Sequence, residues 1–213
     1  MTSILSIDIG TKNLGYTVFS YPREISVTKI MSARPKSTKG RKNVCASPEN
    51  VVRIEDTTVF FDIFTIDESK NMDVVECRCE KIVSFINDLF TKYNIEAVII
   101  ERQVMTNIVA MELMYSIVTA CKMMDIRTEI FDPKLKFTSL GIDCPSEKKS
   151  HKKLSTIFAT NLITSIYPNE LEKFMSYDKK DDLSDSLNQC LVWMLRENLL
   201  NMSIEDYTRK ILP

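Results

Sequence analysis

The stretch Ile4-Leu5-Ser6-Ile7-Asp8-Ile9-Gly10-Thr11-Lys12-Asn13-Leu14-Gly15-Tyr16-Thr17-Val18-Phe19 reads as an apolar strand, a glycine-opened turn and a second strand folding back. Asp8 lies at the end of the first strand. An ionised carboxylate is costly to bury unless a cation meets it, so Asp8 reads as a ligand rather than a tolerated strand residue. The pattern recurs twice. Ala97-Val98-Ile99-Ile100 ends in Glu101, and Asp181-Asp182-Leu183-Ser184-Asp185 opens a helix. Three acidic groups, each carried by a rigid element, point to a carboxylate cluster for a divalent metal.

Outward from this hairpin, residues 3–9 and 14–20 are the two strands and Glu24 to Met31 is a third, with Ile25 and Val27 alternating. Arg34-Pro35-Lys36-Ser37-Thr38-Lys39-Gly40-Arg41-Lys42 follows, with five basic residues and no acid, and reads as a basic loop insertion over 33–50. Residues 51–66 return to strand character and either extend the third strand or form an added hairpin. Helical spacing of Ile82, Phe85, Ile86, Leu89 and Phe90 predicts a helix over 74–93. A strand at 95–102, a Met-rich helix at about 106–123 and a strand at 126–131 come next. Lys148-Lys149-Ser150-His151-Lys152-Lys153 leads into a helix with Leu154, Ile157, Phe158, Leu162 and Ile163 inward, and a final helix runs from about Asp182 to Asn198. Three strands followed by alternating helix and strand are the order of a ribonuclease H-like α/β fold: a mixed five-stranded sheet, antiparallel at first and then parallel, flanked by helices. The ends of the first and fourth strands are then neighbours, so Asp8 faces Glu101.

The chain has 213 residues, 44% of them hydrophobic, which suits one globular domain over 1–213. Its net charge of -1 excludes a whole-molecule basic field, so nucleic-acid contacts have to come from local patches. The six scattered cysteines, of which only Cys77 and Cys79 are close, fit reduced thiols better than a zinc site or disulfide framework. No secretory or import leader is expected at the N-terminus. No apolar run approaches the ~18 residues of a membrane helix, so no membrane association is expected.

Asp182 and Asp185 are three residues apart and share a helix face. An aspartate at a helix N-terminus also caps it or complements its dipole, which accounts for Asp181 or Asp182 more readily than for Asp185. Asp8, Glu101, Asp182 and Asp185 together suit two Mg²⁺ ions about 3.5–4 Å apart, the spacing of in-line phosphoryl displacement. Hard carboxylate oxygens favour Mg²⁺, with Mn²⁺ able to substitute, over zinc. Lys152 or Lys153, with Lys148 and Lys149 behind them, are the candidate cations for the scissile phosphate. His151 is the one histidine and, as an exposed residue in a basic run, is expected to be passive.

Ser6-Ile7-Asp8-Ile9-Gly10-Thr11-Lys12-Asn13, Ile100-Glu101-Arg102-Gln103 and Lys179-Lys180-Asp181-Asp182-Leu183-Ser184-Asp185-Ser186-Leu187-Asn188 resemble the poxvirus branch of RuvC-like Holliday junction resolvases. The first two are also similar to fungal mitochondrial junction resolvases. The resemblance covers the chain apart from about 32–58. It implies that Asp8, Glu101, Asp182 and Asp185 are the metal-binding acids and that Lys152 or Lys153 is the catalytic lysine. It further implies that a homodimer nicks paired strands of four-way DNA junctions, with Arg102 and Gln103 positioning the strand. Lys12, Arg34, Lys36, Lys39, Arg41, Lys42, Lys148 and Lys149 are the further DNA-binding candidates. The expected setting is the cytoplasm, that of a virus-infected cell if the poxvirus likeness is followed, with the nucleus as alternative.

Three rivals remain. Asp-Ile-Gly-Thr-Lys-Asn also resembles the phosphate loop of actin-like ATPases and sugar kinases, but those folds need further glycine-rich turns. This chain has four glycines, none adjacent, so no nucleotide cofactor is expected. A ribonuclease H acting on RNA–DNA hybrids uses the same acid geometry, and a catalytically dead DNA-binding module would need none of it.

Overall fold

The apolar run that ends at Asp8 forms strand β1 (Thr2–Ile9), and the chain returns antiparallel as β2 (Asn13–Tyr21), with Asp8 paired opposite Gly15. The Gly10 N–H donates to the Asn13 carbonyl at 2.9 Å, and a Cβ at Gly10 would lie 2.5 Å from that same oxygen. The tight turn therefore excludes any side chain at this position. The computed structural model describes residues 1–22, 52–66, 75–143 and 147–212. The strand expected at 24–31, the basic segment 33–50 with Arg34, Lys36, Lys39, Arg41 and Lys42, and the side chain of Lys148 lie outside the described residues.

Within the sheet, the third strand is β3 (Thr58–Thr65), which pairs antiparallel with β2. Residues 51–66 thus supply a sheet strand of their own. Helix α1 (Val75–Lys92) leads to β4 (Ile95–Glu101), which lies parallel to β1. Helix α2 (Ile108–Met123) then leads to β5 (Arg127–Phe131), parallel to β4. The order β3-β2-β1-β4-β5 is the mixed ribonuclease H-like sheet that the element order predicts. After β5 come a single helical turn α3 (Leu135–Thr138), then α4 (Lys148–Ile166), α5 (Leu171–Ser176), α6 (Lys180–Arg196) and α7 (Ile204–Ile211). The short helices α3, α5 and α7 are additional to the expected elements, and α6, expected to start at about Asp182 and to be the final helix, starts at Lys180 and is followed by α7. Among the described residues no helix is long and apolar enough to cross a membrane.

Side-chain alternation divides the sheet between two apolar layers. Leu5, Ile7, Ile9, Leu14, Val18, Val98 and Ile100 pack toward α1 and α2. Ile4, Phe19, Phe61, Ala97 and Ile99 pack toward α4 and α6. By this period-two rule Ser6 and Asp8 on β1, and Glu101 on β4, share the second face. Helix α6 crosses that face, and every residue from Leu183 to Leu195 is buried. Its polar residues are accommodated by hydrogen bonds. Gln189 Nε2 donates to Ser6 Oγ at 3.1 Å, to the Ile7 carbonyl at 3.3 Å and to the Ile99 carbonyl at 3.2 Å. Ser186 Oγ meets Thr17 Oγ1 at 2.8 Å. Gln189 therefore ties the helix to both acid-bearing strands beneath the acids. The methionines of the α2 region divide by face, Met114 being buried while Met105 and Met123 are exposed.

Candidate active site

The parallel register pairs Ile7 with Ile100, so the next residues, Asp8 and Glu101, emerge side by side where β1 and β4 end. Helix α6 brings Asp185 to them. One carboxylate oxygen from each of Asp8, Glu101 and Asp185 lies within 4.8 Å of the others. Gly15 sets how closely the helix approaches, because a Cβ there would fall 2.6 Å from the Asp182 carbonyl oxygen and 2.7 Å from its carbon. Only a bare backbone opposite Asp8 lets the first turn of α6 settle against β2. Asp182 lies on that turn, close enough to raise the Asp8 carboxyl electrostatically, though outside the three-oxygen cluster.

A residue that the sequence did not single out occupies the centre of this site. Lys136, on α3, is 1% exposed and its Nζ donates to Glu101 Oε2 at 2.6 Å and to Asp185 Oδ1 at 2.8 Å. Burial alone would depress its ammonium, but Asp185, Glu101 and Asp8 outweigh burial and keep it charged. The available signal is the order Asp132-Pro133-Lys134-Leu135-Lys136-Phe137. A lysine held between two apolar residues, just past the fifth strand, lies at the sheet end that carries the acids. Ser155 is a second omission. Its hydroxyl donates to Asp185 Oδ1 at 2.7 Å and accepts from Asn188 Nδ2 at 2.9 Å, orienting the aspartate.

The carboxylates are not equivalent. Burial, then Glu101 and Asp185, hold the Asp8 carboxyl well above the usual range, and Lys136 only partly offsets them. Asp8 has no hydrogen-bond or ion-pair partner among the described residues. Burial also raises Glu101, against the pull of Lys136. Asp182 is raised by burial and by Asp181, against Lys152. Asp181 moves the opposite way. Burial acting alone would raise it, but the Lys152 ammonium and the N–H groups of Asp181 and Asp182 hold it low. Asp181 is thus the acid that satisfies the helix N-terminus.

Lys152 pairs with Asp181, lies 3.7 Å from Asp182 Oδ1 and keeps 40% of its side chain exposed. Lys153 and Lys149 point to solvent. His151, expected to be exposed, is half-buried with its ring edge-on to Phe137 at 4.4 Å between centroids. Burial and the Lys136 ammonium lower its pKa, so it is held neutral. Lys12 follows β1, and exposed Arg102 follows β4, both at the acid-bearing end of the sheet. Gln103 Nε2 donates to the Glu101 carbonyl at 3.2 Å, bracing the strand end.

Three clustered oxygens, one from the half-buried and unpaired Asp8 carboxylate, form a hard donor set that fits a divalent cation. The raised Asp8 carboxyl has a consequence for stability without metal. The folded state holds the Asp8 proton more tightly than the unfolded chain, so between an ordinary aspartate value of about 4 and the raised value, stability falls as pH rises. Asp8→Asn removes that loss. In metal-free melts the variant should gain stability relative to wild type as pH rises above about 4, and a difference in Tm that does not change with pH would contradict the assignment.

No family model matches the chain, and no curated protein matches it. Solved structures do. The Fowlpox virus resolvase in complex with substrate Holliday junction DNA is 21% identical, over 90% of this chain and 96% of that chain, with a TM-score of 0.55. Thermus thermophilus RuvC is 12% identical over 92% of this chain and 97% of its own, with a TM-score of 0.55. The yeast mitochondrial Holliday junction resolvase is 14% identical over 99% of this chain and 80% of its own, with a TM-score of 0.56. The shared architecture is the fold of the RuvC-like resolvases.

Proposed function

We propose that this chain is a structure-selective endonuclease that resolves four-way DNA junctions by metal-dependent phosphodiester hydrolysis. The observation that carries the reading is the convergence of Asp8, Glu101 and Asp185, with oxygens within 4.8 Å of one another, at the end of a resolvase-like sheet. Asp182 completes the acid set from the first turn of α6. Hydrolysis joins a water oxygen to phosphorus and breaks the bond to the 3′ oxygen, leaving a 5′-phosphate and a 3′-hydroxyl. Two Mg²⁺ ions, for which Mn²⁺ can substitute, would supply Lewis-acid activation and charge neutralisation at that phosphate.

The chain's own residues do the rest. Lys152, close to Asp182 and partly exposed, is the cation that reaches the scissile phosphate, which favours it over the outward-facing Lys153. Ser155 and Gln189 hold the acids in register. Arg102 and Lys12, with Gln103 bracing Glu101, engage the DNA backbone beside the cut, and Lys148, Lys149 and the 33–50 segment extend the contact.

Resolution needs two cuts in strands of like polarity, which a two-fold homodimer of one domain per chain supplies. The outer face of α2, where Tyr115 is 51% and Met123 84% exposed, is the surface assigned to the second copy. Beside it a groove of about 480 Å³ is lined by Cys79, Val83 and Ser116. The cytoplasm, in an infected cell, is the setting this reading implies, with the nucleus as alternative.

Backbone contacts release counterions, so junction binding by Asp8→Asn protein should weaken steeply between 50 and 200 mM salt, by about ten-fold or more for several phosphate contacts. A fluorescence titration with four-way and linear DNA tests this. A flat salt response, or equal affinity for both DNAs, would count against the reading.

A further inference from the structure

Lys136 is bound to the same carboxylates that make up the candidate metal site. Its Nζ spans Glu101 Oε2 at 2.6 Å and Asp185 Oδ1 at 2.8 Å, leaving Asp8 as the unpaired member of the cluster. The ammonium is 1% exposed, and the apolar neighbours Leu135 and Phe137 pack α3 into the core beneath it. Around it are Asp8, Glu101 and Asp185, with half-buried His151, edge-on to Phe137, close enough for the ammonium to lower its pKa. A single positive charge therefore serves three clustered acids, and it is bound to two of the three carboxylates that a divalent ion on this cluster would use.

A divalent cation and an ammonium crowded onto the same two carboxylates compete for them. They repel one another, and the protein interior screens that repulsion weakly. A hard cation also draws its oxygens to about 2.0–2.1 Å, closer than an N–H donor allows. We propose that Lys136 is a resident counter-ion that fills the Glu101–Asp185 cation position in the metal-free protein and must vacate it when divalent metal loads. The inference rests on the metal-dependent reading above. The lysine holds the acids together before metal arrives and sets a threshold for loading.

The test uses the full chain without DNA, so activity is not the readout. In metal-free protein labelled with ¹⁵N-lysine, the Lys136 ammonium should give a protected resonance. Added Mg²⁺ should remove that protection with the same midpoint as the change at the Asp8 carboxyl carbon. By calorimetry, Lys136→Met, which keeps the length and loses the charge, should bind Mn²⁺ at least ten-fold more tightly than wild type. If Asp8 responds to saturating Mg²⁺ while the Lys136 resonance stays protected, the inference is overturned and the metal site stands. Equal or weaker Mn²⁺ binding by Lys136→Met overturns it too. If neither Asp8 nor Lys136 responds to Mg²⁺ or Mn²⁺, the metal-dependent reading fails and the inference fails with it. Should Lys136→Met not fold, the wild-type resonances decide alone.

Discussion

Asp8→Asn and Glu101→Gln should each reduce metal-dependent cleavage of a four-way junction by roughly a thousand-fold or more, while junction binding stays near the wild-type level. The magnitude follows from the several kcal/mol that carboxylate-held metal supplies to phosphoryl displacement, at about 1.4 kcal/mol per ten-fold in rate. Both acids emerge from the ends of paired parallel strands, so neither amide variant disturbs the sheet beneath. The contrast with stability makes the result diagnostic. Asp8 is a half-buried carboxyl without a partner among the described residues, held above its usual range, so its neutral isostere should lose activity while gaining stability without metal. Loss of activity accompanied by lower stability would instead mark a packing defect. Cleavage that survives in either variant would reject the site.

Gly15→Ala is the second large effect, although Gly15 carries no chemistry. The added Cβ would meet the Asp182 carbonyl oxygen at 2.6 Å and its carbon at 2.7 Å, and both atoms are backbone. No side-chain rotation relieves that overlap, so α6 has to retreat from β2. Overpacking of this kind costs about 1–3 kcal/mol. Because the same turn carries Asp182 and leads into Asp185, a retreat of about 1 Å should cost cleavage roughly a hundred-fold. Thermal melts and single-turnover cleavage measure the two consequences separately. A variant with wild-type rate and stability would show that the close approach of helix to strand does not set the site.

Much of this arrangement was legible in the chain. Apolar strands ending in Asp8 and Glu101 announce themselves, because a charge closing a buried run is rare unless something meets it. The order of strands and helices then placed those two ends together. The third sheet strand was harder to read, since 24–31 and 58–65 have similar alternation and pairing depends on contacts far along the chain. In helix α6 the sequence shows Leu183, Leu187, Leu191 and Leu195 at four-residue steps. The helix is buried all round from Leu183 to Leu195: Ser186 Oγ pairs with Thr17, and the side-chain amides of Asn188 and Gln189 donate to Ser155, Ser6 and strand carbonyls, while Asn188 Oδ1 and Gln189 Oε1 have no partner among the described residues. Periodicity cannot show such pairing. Lys136 was missed for a related reason. A lysine on a one-turn helix looks like a solvated surface residue until tertiary structure brings three carboxylates around it. Asp181 and Asp182, adjacent in sequence, separate only when Lys152 is seen to claim Asp181.

The most direct measurement is a cleavage assay with purified protein and Mg²⁺, comparing a four-way DNA junction, a linear duplex and an RNA–DNA hybrid, with both nick positions mapped. The account predicts Mg²⁺-dependent, paired nicks on opposing strands of like polarity in the junction, each leaving a 5′-phosphate and a 3′-hydroxyl, with the duplex and the hybrid largely intact. Preferential cutting of the hybrid, or no cutting of the junction by protein that binds it and Mg²⁺, would contradict it.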